Sequence, residues 1–352
     1  MTPVVTVERR RSEDEAEIFR LYEQVFGQAL TEGSRTRWRW QYLDNPATSP
    51  EGPEIWVARE GETVLGQYAS MPVHLWWGDR ELRSSWGMDV FLRPEARGMG
   101  IGALLFTTWS DFVPVALGLG LTPSSYGLFK KLRYEDVGPV RFYQRVLDGR
   151  AVARRRLGSL VSPLAGPLLE AGLRLAHPER PLPAGGVEVR SVTCFTPEYD
   201  TLWQRCRGSY AMCVRRDRAY LDWKYARCPS RRYELREARR GGELAGFAVS
   251  RCEDYEGVRL GWIVDVFADA ADHAAKDALL GAVLDGFRAA GVARAQAFSM
   301  NAELGADLRR RGFFEGRSPM QFCVRARSLG SPAVLAELGR WHVVFGDSDM
   351  DR

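Results

Sequence analysis

The sequence predicts an α/β (α+β) protein built from two tandem, related units, each a mixed, mostly antiparallel sheet flanked by helices. Three observations carry this prediction. A set of short motifs occurs twice in the same order, the apolar period changes from two to about 3.6 after the last motif of each set, and one copy has a glycine-rich loop where a strand gives way to a helix. With 352 residues the chain exceeds one average domain and suffices for two cores.

The repeat begins at Trp40-Gln41-Tyr42 with Pro46 and returns at Trp223-Lys224-Tyr225 with Pro229, both reading WxYxxxP. Next come an apolar run, a polar turn and a glycine-bearing strand. These are Ile55 to Ala58, Glu60-Gly61-Glu62 and Leu65-Gly66-Gln67-Tyr68 in the first copy. In the second they are Tyr233 to Ala238, Gly241-Gly242-Glu243 and Ala245-Gly246-Phe247-Ala248. Such pairs of runs around glycine turns read as antiparallel hairpins. The third match sets Asp89-Val90-Phe91 against Asp265-Val266-Phe267.

After each DVF the pattern becomes helical. Ile101, Leu104, Leu105 and Thr108 share one face, as do Leu279, Leu280, Val283, Leu284 and Phe287. A strand and a short helix close each unit: Val113 to Leu119 with Ser125 to Leu132, then Arg294 to Ser299 with Asn301 to Arg310. The expected organisation is a first unit over 1–148, a linker over 149–186, a second unit over 187–327 and a tail over 328–352. The linker carries the basic run Arg154-Arg155-Arg156, an apolar part-helical stretch and a proline-rich end, Pro178 to Pro183. In the tail, Ser331 to Arg340 reads as a short helix and Trp341 to Phe345 as a short strand.

Composition narrows the function classes. Apolar residues make up 45% and charged residues 27%, which fits a soluble globular chain. A net charge of +4 suits small anionic ligands and falls short of the basic stripe of a nucleic-acid binder. All six cysteines lie in the second half without a CxxC pair, and the four histidines are scattered, so no metal site is expected. Met1 to Ser12 has no apolar signal core. In Leu157 to Ala176, Pro163, Pro167, Glu170 and Arg174 interrupt the span that a bilayer helix needs. A cytoplasmic protein with reduced thiols and no integral membrane segment is expected.

The chemistry concentrates in Arg97-Gly98-Met99-Gly100-Ile101-Gly102. A buried-strand pattern ends at Pro94 and a helix opens at the loop. Three glycines let the backbone approach a ligand, while the helix N-terminus offers unpaired N–H groups and a positive dipole end. This string is built to hold a phosphate, and neither GxGxxG nor a P-loop lysine fits it.

At these residues the chain resembles the GNAT superfamily of N-acetyltransferases, whose RxxGxG signature is matched by Arg97, Gly100 and Gly102. The resemblance implies that N–H groups from Gly98 through Met99, Gly100 and Ile101 to Gly102 bind the CoA pyrophosphate, and that the Phe91 and Leu92 backbone pairs with pantetheine. Acetyl-CoA, or another short acyl-CoA, is the implied cosubstrate. The second copy reads Ala268-Asp269-Ala270-Ala271-Asp272-His273, with no glycine and two carboxylates, so it is expected to bind no CoA. It would instead wall the acceptor pocket or stand in for a dimer partner, making a monomer that acts as a pseudo-dimer. His273 reads as a surface residue at a helix start.

Acyl transfer to an amine needs a neutral nucleophile and a route for the thiolate to leave. Asp89 is the candidate base or ammonium anchor. Because Asp265 repeats it, a structural role shared by both aspartates is the competing reading. The family's usual acidic tyrosine is replaced by phenylalanine at Phe129, leaving Tyr126, Ser124 or Ser125 as donors, with Tyr126 the candidate acid. Tyr126 as a core or rim aromatic is its alternative. Trp40 and Tyr42 line an acceptor pocket or pack the core.

The expected function is transfer of an acetyl or other short acyl group to a primary amine of a small molecule or amino sugar. The alternative is a catalytically weak acyl-CoA-binding or scaffold protein. Aminoacyl transfer of the Fem type has duplicated domains in its favour but not an intact RxxGxG.

Overall fold

In the structure, a computed structural model, residues 5–158, 160–183, 185–318, 320–327 and 337–351 are described. The first half runs β1 (Val5–Arg9), α1 (Glu15–Phe26), α2 (Glu32–Tyr42), β2 (Ile55–Glu60), β3 (Thr63–Trp77), β4 (Arg80–Leu92), α3 (Ile101–Phe112), β5 (Val115–Leu119), α4 (Pro123–Lys131), β6 (Glu135–Pro139) and β7 (Phe142–Val146). Helices α5 (Gly149–Leu157) and α6 (Ser162–Ala176) form the linker. The second half follows as β8 (Val187–Val192), α7 (Glu198–Cys206), β9 (Met212–Val214), α8 (Arg218–Leu221), a π-helical turn Asp222–Ala226, β10 (Glu234–Arg240), β11 (Glu243–Tyr255), β12 (Val258–Ala268), α9 (His273–Ala289), β13 (Arg294–Phe298), α10 (Ala302–Arg310), β14 (Phe314–Gly316), β15 (Gln321–Ala326) and β16 (Trp341–His342).

Two mixed, mostly antiparallel sheets result, as the repeat predicts. One has the order β1-β2-β3-β4-β5-β15-β6, with β9 on the far end of β3 and β16 on β9. The other has the order β14-β7-β13-β12-β11-β10-β8. In each, a parallel pair follows the DVF strand, β4 with β5 and β12 with β13, because a helix crosses over between the two strands.

The halves exchange strands. β7 follows β6 after two residues yet pairs with β13 and β14, and β15 pairs with β5 and β6. Each sheet is thus completed by the other half, so residues 142–146 and 321–326 serve the sheet opposite to the unit in which the sequence reading placed them. Motif spacing carries no record of this, because a strand's alternation states what it buries and not which neighbour it hydrogen-bonds. One apolar core accordingly spans both halves, joining Trp40, Tyr42 and Phe91 to Trp223, Tyr225 and Phe267.

Of the expected tail helix, residues 331–336 lie outside the described residues, and Leu338–Arg340 form one 3-10 turn. The expected tail strand shortens to Trp341–His342, after which the chain turns at Phe345–Asp347. All six cysteines are free thiols. Among the described residues no helix is long and apolar enough to cross a membrane, and no cluster of His, Cys, Asp or Glu could hold a metal ion.

Candidate active site

The site opens where two parallel strands part. β4 and β5 pair only over Ser84–Trp86 and Val115–Leu117. Beyond this, β4 continues to Leu92 and β5 ends at Leu119, leaving a cleft of about 420 Å³ between Gly87–Phe91 on one side and Leu119–Thr122, Ser125 and Leu128 on the other. The α3 loop lies at the end of β4. Gly98 and Gly100 have φ of 81° and 80°, a region that disfavours side chains. Gly100 is the residue before α3, no side chain caps that end, and its first turn has no acidic residue. The helix N-terminus therefore presents its N–H groups and dipole to an anion. Arg97 and Met99 extend from the exposed loop, Ile101 anchors it in the core, and Gly102 faces Leu92.

Asp89 sits at a β-bulge. Ala69 pairs with Met88 and Gln67 with Phe91, so Tyr68 alone faces Asp89 and Val90. Asp89 adopts φ 43°, a left-handed conformation that Asp and Asn tolerate better than other residues with side chains. Gln67 Nε2 donates to its carbonyl at 3.2 Å. Its carboxylate oxygen Oδ2 accepts from the Tyr42 hydroxyl at 2.5 Å and from Tyr22 at 2.9 Å. Two phenol donors fix the carboxylate in place. Asp89 and Phe26 line both the cleft and a second cavity of about 230 Å³, walled further by Tyr22, Trp38 and Tyr42 with Ser34, Arg37 and Gln41. Asp89 is the polar group at that partition.

The structure does not bring Tyr126 to this point. Its hydroxyl donates to Asp136 on β6, which Lys130 also contacts at 3.1 Å, and this hydrogen bond raises the phenol's pKa. Ser125, one residue before it, lines the cleft. Of the WxY aromatics, Tyr42 faces the cavity and Trp40 packs against Trp223. Sequence reading missed Tyr22 and Phe26, aromatics four residues apart on α1, and the tail residues Asp349 and Met350, which reach the cleft wall. The tail carries no sequence signal. For Tyr42 there was one: the tyrosine of WxY and the aspartate of DVF recur together because they bond in both halves.

The corresponding helix of the second half has a side-chain cap at its N-terminus. α9 begins at His273, and its N-terminal Ala275 N–H donates to the Asp272 carboxylate at 3.0 Å, which Arg240 pairs at 2.7 Å. His273 stands at the helix start as expected, with Nδ1 2.9 Å from Asp307. The tail enters the gap between β12 and β13: Val344 bridges Ser299, Met300 N–H donates to the Val343 carbonyl, and a cavity of about 10 Å³ remains.

The first half thus combines a strand fork, a glycine loop, a helix N-terminus without a side-chain cap and an adjoining carboxylate. Residues 6–135 match the family model described as Acetyltransferase (GNAT) domain. No curated protein matches the chain in sequence. Solved structures with a similar fold include a GCN5-related N-acetyltransferase from Anabaena variabilis. It is 14% identical with a TM-score of 0.64, and the match covers 92% of this chain and 73% of that one. Another, from Kribbella flavida, is 16% identical with a TM-score of 0.60, covering 92% and 71%. Saccharomyces cerevisiae N-myristoyltransferase with bound myristoyl-CoA is 13% identical with a TM-score of 0.52, covering 92% and 84%.

Proposed function

We propose that the chain transfers an acetyl or other short acyl group from CoA to the primary amine of a small molecule, using the first half alone for CoA. The observation that carries this reading is the place of Asp89, in the wall shared by the donor cleft and the aromatic cavity. The pyrophosphate lies on the N–H groups of Gly98 to Gly102, and pantetheine runs along the free edge of Phe91 and Leu92. The acceptor arrives as an ammonium ion, Asp89 takes one proton, and the amine attacks the thioester carbon. The C–S bond then breaks as the amide forms, and the second proton of the amine leaves to water. Because Asp136 holds the Tyr126 hydroxyl, the role expected of Tyr126 passes to water, which protonates the departing thiolate. In the second half Asp272 and Val344 occupy the places that a pyrophosphate and pantetheine would need.

A thiol-release assay with acetyl-CoA and an amine panel, paired with calorimetric CoA titration, tests this. One CoA per chain and amine-dependent thiol release are expected, with release lost and CoA binding kept in Asp89→Asn. No CoA binding, or two equivalents per chain, would overturn the reading.

A further inference from the structure

Helix α6 is built inside out. Its apolar residues Val161, Leu164, Leu168 and Leu175 recur at intervals of three, four and seven and so share one face. In a globular protein such a face goes inward, yet Leu164, Leu168 and Leu175 are 77%, 73% and 84% exposed, and Leu160 in the turn before them 94%. The buried side of α6 is the small one, at Ser162 and Gly166. A Cβ at Gly166 would meet the Arg150 Cα at 2.6 Å, and one at Gly149 would meet the Gly166 carbonyl oxygen at 2.4 Å, so α5 and α6 touch backbone to backbone. A leucine does not fit that contact, and α6 cannot turn its ridge inward. In turn α5 rests Ala151 and Val152 against Val258, Leu260 and Ala293 of the second half. The leucine ridge is therefore the outer side of the outer helix.

A ridge of exposed leucines marks a contact surface, and its charge says what covers it. Residues 149–176 hold five arginines against one glutamate, a net charge of +4, which is the net charge of the whole chain, so the remaining residues are balanced. Arg150, Arg154 and Arg174 are exposed, Arg155 pairs with Glu256, and the glutamate, Glu170, is held by Arg174 at 3.1 Å. A second copy would set this patch against itself and bring two cationic hairpins together. A folded protein partner would need a groove shaped to one protruding helix. A bilayer needs no such shape, because its acyl chains close around the leucines while anionic headgroups meet the arginines. With 15 residues α6 is about 22 Å long, short of the roughly 30 Å hydrocarbon core, so it lies along a membrane surface and does not span it.

We infer that α6 docks the chain on an anionic phospholipid surface, with Leu160, Val161, Leu164, Leu168 and Leu175 in the acyl boundary and the arginines of the hairpin at the headgroups. None of these residues lines the cleft or the cavity beside Asp89, so the inference stands apart from the acyl transfer proposed above.

The experiment is co-sedimentation of the full chain with vesicles of phosphatidylcholine alone and of phosphatidylcholine mixed with phosphatidylglycerol. Binding to the anionic vesicles is expected to be at least about tenfold tighter and to weaken as salt is raised. Leu164→Gln with Leu168→Gln is expected to weaken it by about tenfold or more while the thermal melt is unchanged, because both side chains already stand in water. Arg150→Gln with Arg154→Gln leaves the ridge intact and is expected to reduce the preference for anionic vesicles by about tenfold. It is read alone should the leucine variant fail to fold. Equal binding to both vesicles, binding to neither, binding unchanged in a folded leucine variant, or a preference unchanged in the arginine variant overturns the inference. So does a dimer in analytical ultracentrifugation that the leucine variant dissociates, since the ridge would then belong to a second copy. Vesicle binding by a chain that takes up no CoA would sink the proposed transfer and leave this inference standing.

Discussion

Trp40 and Trp223 each donate the indole N–H to the other's backbone carbonyl, at 2.8 and 2.9 Å, with their rings stacked 5.0 Å apart. The contact is reciprocal, as across a two-fold axis between identical subunits, but here it joins two copies of one motif in a single chain. Truncating either ring opens a cavity and orphans a buried donor's partner. Trp40→Ala is therefore expected to cost about 3–5 kcal/mol. Because the core and two exchanged strands tie the halves together, urea denaturation followed by circular dichroism and by fluorescence should give one coincident transition in wild type and variant. Two separated transitions would refute the shared core.

Gly100 tests the loop. Its φ of 80° is one that a side chain adopts at a cost of about 1–2 kcal/mol, although a Cβ there meets no protein atom within 4 Å. Gly100→Ala should therefore lower stability modestly and CoA affinity disproportionately, by about tenfold or more, since the added methyl stands where the pyrophosphate must approach. Parallel calorimetry and thermal melts measure the two effects. A loss of stability alone would show that the glycine serves the turn and not the ligand.

The glycine loop and the repeat were legible in the sequence because each has a local cause: positive φ at Gly98 and Gly100, and a tyrosine–aspartate bond made twice. What was not legible depends on distant partners. Neither β7 nor β15 announces which sheet it completes. Tyr22 looks like any aromatic on an amphipathic helix until the Asp89 bulge turns a carboxylate toward it. Tyr126 was read as a candidate acid from its place about one turn before the family's tyrosine position, but the aspartate that holds its hydroxyl, Asp136, sits in a strand that pairs with β15.

Lys224 replaces, in the second WxY motif, the Gln41 of the first. Its ammonium is buried, donating to the Ser348 carbonyl at 2.8 Å, and burial lowers its pKa from 10.5 to about 8. The unfolded chain holds this proton to about 10.5 and the folded chain releases it near 8, so the unfolded state binds more protons between those values. Stability from this group therefore rises with pH, by about 2 kcal/mol between pH 8 and about 9.5. Lys224→Met should flatten that rise in urea titrations at the two pH values. A slope unchanged in the variant would assign it elsewhere.

Arg216 is the second test of buried charge. Its guanidinium bridges Asp265 and Asp347, lying 2.8–2.9 Å from the latter's oxygens. Even so, burial, together with the nearby Asp265 carboxylate, pushes Asp347 up to about 6 from 3.8. Arg216→Met leaves two carboxylates facing each other in a dry core and is expected to cost about 3–5 kcal/mol. Without the cation the folded-state pKa of Asp347 rises further, while its unfolded value stays near 3.8. The folded variant then binds a proton that the unfolded chain lacks, so its stability falls as pH rises from about 5 to about 8. The loss relative to wild type should be larger at pH 8 than at pH 5 in urea denaturation. Equal losses at both values would mean that the arginine contributes through packing and not through its charge.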